Sequence, residues 1–550
     1  MCASPCKIGG NKMKKCLTIF WLIAVLTFTT VHAISGKVFL DSNANGIFDE
    51  DEIGLPNCYV SDGREIVATN EDGDFFLDTN EPFIFIILPD EYACRKWYSS
   101  TNERQILFAL TKSHFSRTFA VVSDIHYAEN PEAFSKALTD RSMKYNADKY
   151  LEKLIQSLNK QELSFVLVLG DIGASIRDID DQSAKDQLGR VASYMNRIKA
   201  DVFYAIGNHE FKSKAERPTG IFEATFGPRY YSFNRSGIHF IVLDIHLSDR
   251  GSLKYEIDSV QLKWLEKDLT LVPNNQPIVV FSHEPLYDLT DSENNRELKK
   301  LFIDYQITAH ISGHWHTMIK LSDYPYLELT CGAVCGAWWE GPSPSGDEFG
   351  YVLFETCRNV LNYAYININE DLSIWLEFPF EGVLSGLVPI RVVTSKFISN
   401  VAISIDGKEL SFKPIIVNKD NWVEYLYRLN LTNLAQGMHE FVFKDTETQV
   451  EKRKSFWVSN RSITFKILKD YPECFLGKLV TVDNAKFVAK SGSVVSFYDG
   501  TDGMMVKFSN PNISNTISDS AMYSLTGVVR DPWVVADPLR IHLDEGIIQR

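Results

Sequence analysis

Between residues 117 and 365, short runs of Val, Ile, Leu and Phe alternate with longer stretches that are apolar on one side only. The runs Phe119–Ser123, Phe165–Leu169, Val202–Ile206, Phe240–Leu243, Ile278–Phe281 and Ile307–Ile311 are apolar at nearly every position. That is the pattern of strands covered on both faces. Around Asn146–Asn159, Ala184–Lys199, Ser259–Leu269 and Glu293–Asp304, apolar residues recur at helical spacing. Strand and helix in alternation predict a layered α/β domain. The texture differs on either side. Residues 34–110 are rich in β-formers and turn residues and have no long helical period. Residues 383–459 read as short strands and turns, ending in Gly437-Met438-His439-Glu440-Phe441-Val442-Phe443. Residues 464–550 are again strand-rich, with strands expected in Phe475–Val488 and Tyr523–Arg530.

The expected fold class is therefore a multidomain α/β plus all-β chain. The expected domains are an N-terminal β domain at 34–112, a central α/β sandwich at 113–365, an immunoglobulin-like β-sandwich at 366–460 and a small OB-like β-barrel at 461–550. Residues 1–33 read as an export signal. Lys12, Lys14 and Lys15 precede an uncharged apolar stretch, Leu17–Val31, and Val31-His32-Ala33 offers a cleavage site. The stretch is short for a membrane span and no second one follows, so no integral membrane segment is expected after signal removal. The expected location is periplasmic, extracellular or on the cell surface. A chain of 550 residues is too long for one core. Its net charge is −15, so an extended nucleic acid is a poor partner, while a small phosphate ester at a metal site is not excluded. Export permits disulfides, yet the spacing of Cys58, Cys94, Cys331, Cys335, Cys357 and Cys474 specifies none. Free buried thiols are expected.

Five short motifs stand at the C-terminal ends of predicted strands. They are Asp124-Ile125-His126, Gly170-Asp171, Gly207-Asn208-His209-Glu210, Ser282-His283-Glu284 and Gly313-His314-Trp315-His316. Ligands bind beyond the carboxyl ends of strands in open α/β sheets. Mixed carboxylate, amide and imidazole ligands suit Mn, Zn or Fe rather than calcium. There are too many for one ion, and two ions about 3.5–4 Å apart, sharing one carboxylate, would use them all. One motif alone would read as a solvated strand end; five in order do not. Asp244-Ile245-His246 is also D-x-H after a strand, but it follows the GNHE motif and is read as a coincidence. His239, His310, His439 and His542 are read as structural or outside the site.

The order D-x-H, GD, GNH[DE], H and GHxH resembles the calcineurin-like phosphoesterase family over about 117–365. The resemblance implies a binuclear phosphoesterase. It gives metal one Asp124, His126, Asp171 and His316, and metal two Asp171, Asn208, His283 and His314, with Asp171 bridging. A hydroxide bridging the metals would attack a phosphomonoester or phosphodiester in line, and His209 would protonate the leaving oxygen. There is one departure. Relatives often read GDxxD, where the last Asp orients the histidine, and purple acid phosphatases read GDxxY. Here Ala174 stands at that place. Glu210 or Asp178 could substitute, or the histidine acts unpaired.

Two further segments stand out. Asp41, Asn43, Asn45, Gly46, Asp49 and Glu52 fit a calcium-loop spacing between strand-like flanks, and the segment resembles the opening of SdrD B-like repeats, which implies calcium. Residues 332–351 resemble a WW-G segment of exported bacterial phosphoesterases with added β domains. Trp338 and Trp339 there are candidates to wall the site, or to pack the α/β core onto the next domain. The alternative to a hydrolase is a surface binding protein on a phosphoesterase scaffold. Such a relic should have lost ligands, and none is missing.

Overall fold

A computed structural model describes residues 32–549 except 104, 129–146, 178, 213–214, 216, 250–251, 335–347, 358–359, 380, 460–461, 476–477, 492–493, 508–516, 518–520 and 531–541. The expected export signal and the pair Trp338 and Trp339 lie outside the described residues. The centre is two facing sheets. One has the strand order 201–205, 165–169, 118–122, 350–357, 360–367; the other has 231–235, 238–242, 278–281, 309–312, 327–330, 319–322. The first three strands of one sheet run parallel, as do 238–242, 278–281, 309–312 and 327–330 of the other. Their carboxyl ends are thus gathered along one rim.

Between the sheets lies a core of phenylalanines. Phe119 stacks on Phe165 and Phe354 within its own sheet and meets Phe240 edge-on at 5.2 Å across the gap. Strands Thr118–Val122, Phe165–Leu169, Ile238–Val242, Ile278–Phe281 and Ala309–Ser312 are buried at every residue. Helices Ala147–Leu158, Asp181–Met195, Ser259–Thr270 and Glu293–Asp304 bury their apolar sides. The helix expected from Ala184 starts three residues earlier, because the Asp180 carboxylate accepts from Gln182 N and Ser183 N and caps it. The strand Val360–Asn367 pairs along its whole length with Gly350–Cys357, so it crosses the boundary expected at 365 and belongs to the central sheet.

Residues before 113 form two four-stranded sheets around Val38, Val60, Phe75, Phe85 and Phe108. The alternating burial of Asp74–Thr79 and Ile106–Lys112 is that of strands with one face outward. This layer is locked to the central one. Arg235 donates to Tyr92 O at 2.6 Å and pairs with Asp201 at 3.0 Å, and Trp264 Nε1 donates to Ser61 Oγ. After 367 come a four-stranded and a five-stranded sheet around Ile390, Tyr425, Phe441 and Phe443, then a closed five-stranded barrel. Phe475, expected at the head of a barrel strand, closes the short helix Pro472–Phe475, and the strand begins at Leu479. No described helix is long and apolar enough to cross a membrane. Among the described residues Cys58, Cys94 and Cys331 are free and buried, and Cys474 is buried.

Candidate metal centre

The five motifs follow the strands Thr118–Val122, Phe165–Leu169, Asp201–Ala205, Ile278–Phe281 and Ala309–Ser312, all on the same rim. The backbone there is unusual. Asp124, His126, Asp171, His314 and His316 all have φ between 45° and 66°. Non-glycine residues rarely hold that conformation unless the surroundings impose it. Two motif glycines are required by close approach. A Cβ on Gly207 would run into Asp171 N and Oδ1, and one on Gly313 would run into Ser123 Oγ.

Each carboxylate has one oxygen pinned and one aimed inward. Asp124 Oδ2 accepts from Ser123 Oγ at 2.5 Å and His314 N at 3.1 Å. Its Oδ1 then lies 3.2 Å from His316 Nε2, 3.7 Å from His126 Nε2 and 3.9 Å from His283 Nε2. Asp171 Oδ1 accepts from His209 N at 3.0 Å. Its Oδ2 faces His283 Nε2 at 3.1 Å, His126 Nε2 at 3.6 Å and His209 Nε2 at 3.9 Å. His283 is held by Nδ1, which donates to Leu169 O at 2.8 Å, so Nε2 is the nitrogen presented. His126 Nε2 and His316 Nε2 are 3.0 Å apart.

Two overlapping groups result: Asp124, His126, Asp171 and His316, and Asp171, His283 and His314, each with its ligand atoms within 4.8 Å of one another. Asp171 is common to both. Asn208 opens the turn that carries His209, and its Oδ1 is buried without a hydrogen-bond partner.

The donor set fits metal ions. Burial opposes ionisation of Asp124 and Asp171, but the surrounding histidines outweigh it and hold both carboxyls well below their usual range. Burial brings His126 down to about 4, so its ring is neutral with a lone pair to offer. Asp124 Oδ1, Asn208 Oδ1 and His283 Nε2 make no hydrogen bond of acceptable geometry. Buried polar atoms left so are costly unless a cation satisfies them.

Over residues 117–318 the chain matches the family model of the calcineurin-like phosphoesterases. This segment is a calcineurin-like phosphoesterase domain. Families of this kind are phosphoric ester hydrolases that use a binuclear divalent-metal site, and the curated relatives are named accordingly. The chain is 23% identical over 225 residues to the 3',5'-cyclic-nucleotide phosphodiesterase alr5338 of Nostoc sp., covering 40% of this chain and 78% of that protein. It is 25% identical over 267 residues to purple acid phosphatase 15 of Arabidopsis thaliana, covering 41% of this chain and 47% of that one. With the serine/threonine-protein phosphatase CPPED1 of Homo sapiens the identity is 24%, over 34% of this chain and 64% of the relative. Among solved structures, a dimetal phosphatase from Danio rerio matches 45% of this chain and 95% of its own, with 17% identity and a TM-score of 0.34.

The structure also bears on two of the sequence expectations. Of the two carboxylates offered for His209, Glu210 does not serve it. Glu210 is buried and turns away, accepting from Ile172 N at 2.9 Å and from Gly173 N and Gly207 N at 3.0 Å. Burial and the nearby Asp171 push its carboxyl up to about 8. Asp178 lies outside the described residues. His209 Nδ1 instead faces the carbonyl of Ala174, the residue standing where relatives keep an acid. A main-chain oxygen thus orients the ring and leaves Nε2 toward Asp171.

Asp244-Ile245-His246, read as a coincidental D-x-H, belongs to neither ligand group among the described residues, but it is built into a buried network. His246 is fully buried, with Nδ1 at 2.8 Å from Asp244 Oδ1 and Nε2 at 2.6 Å from Glu284 Oε1. Burial opposes its charge, but Glu284 and Asp244 prevail and push it up to about 9. The only sequence sign was the second D-x-H itself. His239 and His310 are structural, as read: His239 bonds Asn234 and Asp268, and His310 bonds Ser282. In the loop 41–52 the candidate residues do gather. Asp41 accepts from Asn45 N and Gly46 N, Glu52 from Ser42 N and Asp49 N, and Asp49 from the Asn43 and Asn45 amides.

Proposed function

We propose that this chain is an exported phosphoesterase that cleaves phosphomonoesters or phosphodiesters of small molecules. Asp124, His126, Asp171 and His316 would hold one divalent transition metal, and Asp171, Asn208, His283 and His314 the other. The single observation that carries this reading is the convergence of side chains from four other strand ends on the shared carboxylate of Asp171. When bound, two such ions activate water as a nucleophile and neutralise charge on the phosphoryl group. The chain's own part is to fix that geometry. Ser123 and the His314 amide turn Asp124, and the His209 amide turns Asp171. Leu169 O sets the His283 tautomer. His209, its ring aimed by Ala174 O and 20% exposed, would give its Nε2 proton to the leaving oxygen. The printed names of the relatives include both a diesterase and phosphatases, so both ester classes belong in the test.

The test strips metal from the protein and restores Mn, Zn or Fe, with p-nitrophenyl phosphate and bis-p-nitrophenyl phosphate as substrates. Turnover should return with metal. Asp171→Asn should lower it by more than about 100-fold, since even outer partners of metal ligands are worth 10–100-fold. Metal-independent turnover, or full activity in Asp171→Asn, would sink the reading.

A further inference from the structure

Behind the second group of ligands runs a buried line of alternating charges that ends beside His283. Arg217 pairs with Glu223 at 2.8 Å; Arg229 reaches both Glu223 and Asp244; His246 joins Asp244 to Glu284, the residue after His283. The Arg217 end is open to solvent, its side chain 52% exposed, and Arg229 is partly exposed, while Asp244, His246 and Glu284 are fully buried. Both ring nitrogens of His246 face carboxylate oxygens, so the ring links Asp244 to Glu284. The Asp244 end is anchored further: its backbone exchanges two hydrogen bonds with the Gln261 side chain.

His246 also touches the other histidine of that group through a neighbour. It opens the hairpin His246–Asp249 and Ser252–Tyr255, in which it is the direct cross-strand partner of Tyr255. The Tyr255 ring lies 5.9 Å from His246 and stands edge-on to His314 at 5.5 Å. The His246 ring itself lies nearly parallel to His283, with centroids 6.5 Å apart. By contrast, Asp124 is held by Ser123 Oγ and by the main-chain amide, not the ring, of His314.

We infer that His246 is a positioning residue for the second metal ion: through Glu284 it fixes the turn that presents His283, and through Tyr255 it backs the ring of His314. The inference rests on the two-metal reading above. It predicts an asymmetry, because the contacts of His246 lead through Glu284 to His283 and through Tyr255 to the His314 ring, both in the second group. Loss of His246 should weaken the second ion and spare the first.

The experiment titrates metal-free full-length protein with Mn²⁺ and counts bound ions per chain, for wild type, His246→Leu and Glu284→Gln. Wild type should take two ions. His246→Leu should keep the affinity of the first and lose 10–100-fold for the second, the range typical of outer partners of metal ligands. Excess Mn²⁺ should restore its turnover. Glu284→Gln keeps the shape and should show the same asymmetry; it carries the test if His246→Leu does not fold. An unchanged second affinity in a folded variant, or equal weakening of both ions, would overturn the inference and leave His246 a merely structural group. A wild-type protein that binds fewer than two ions would overturn the two-metal reading itself, a result visible before any variant is compared.

Discussion

At the scale of single residues, the unusual member of the centre is His209. A carboxylate partner would stabilise the protonated ring by charge; the Ala174 carbonyl stabilises only its orientation and tautomer. If His209 is the acid, its value depends on how badly the leaving oxygen needs a proton. His209→Ala should then cost about 10²–10⁴-fold on an alkyl phosphate ester, and much less on a p-nitrophenyl ester, whose leaving group departs as a stable anion. Parallel kinetics on the two esters check this, and an equal loss on both would remove His209 from the proton-transfer role. The ligands were legible in the sequence because acid, amide and imidazole types recur in fixed order at strand ends. The partner of His209 was not, since a main-chain oxygen carries no side-chain signature. Nor was the use of His246, whose two carboxylates come from Asp244 nearby and Glu284 38 positions away.

At the scale of elements, the apolar runs located the strands to within a residue or two because strands buried on both faces leave no polar position. What the runs could not reveal is which strands pair. Thr118–Val122 sits between Phe165–Leu169 and Gly350–Cys357, a neighbour more than 200 residues away. The rim depends on how closely the motif loops approach one another, and Gly313 tests this. An added Cβ would meet Ser123 Oγ and lie 2.8 Å from Asp124 Oδ2. Gly313→Ala should cost about 1–3 kcal/mol of stability, as overpacking does. Its larger effect should be on turnover, about 100-fold, because a displacement near 1 Å is enough to spoil a catalytic geometry. Thermal unfolding and steady-state kinetics on the same sample separate the two effects; turnover equal to wild type would mean the loop is not held so tightly.

At the scale of the whole molecule, the layers join through polar seams that composition does not forecast. The central sheet meets the following β layer across a groove of about 860 Å³, with Tyr363, Glu377, Arg391 and Glu424 among its lining. Its floor is closed on itself. Arg391 pairs with Glu377 at 2.9 Å and Glu424 at 2.7 Å and also donates to Tyr363 O, so one guanidinium ties together three strands. All three side chains are less than a fifth exposed. Removing one member of such a set leaves unpaired buried charge, and Arg391→Leu should lower stability by about 3–5 kcal/mol at pH 7. The sign of the pH dependence follows from Glu424. Burial pushes its carboxyl up, but Arg391 outweighs that and holds it below its ordinary value. A depressed folded-state value gives stability that is present above the unfolded value, about 4.3, and lost as pH falls through the folded one. Wild type should therefore approach Arg391→Leu in stability as the solution is acidified below about pH 4. Chemical denaturation of both proteins across that range checks it. A gap that stays constant with pH would mean the seam is held by packing of the Arg391 stem on Tyr363 and Trp375 rather than by its charge.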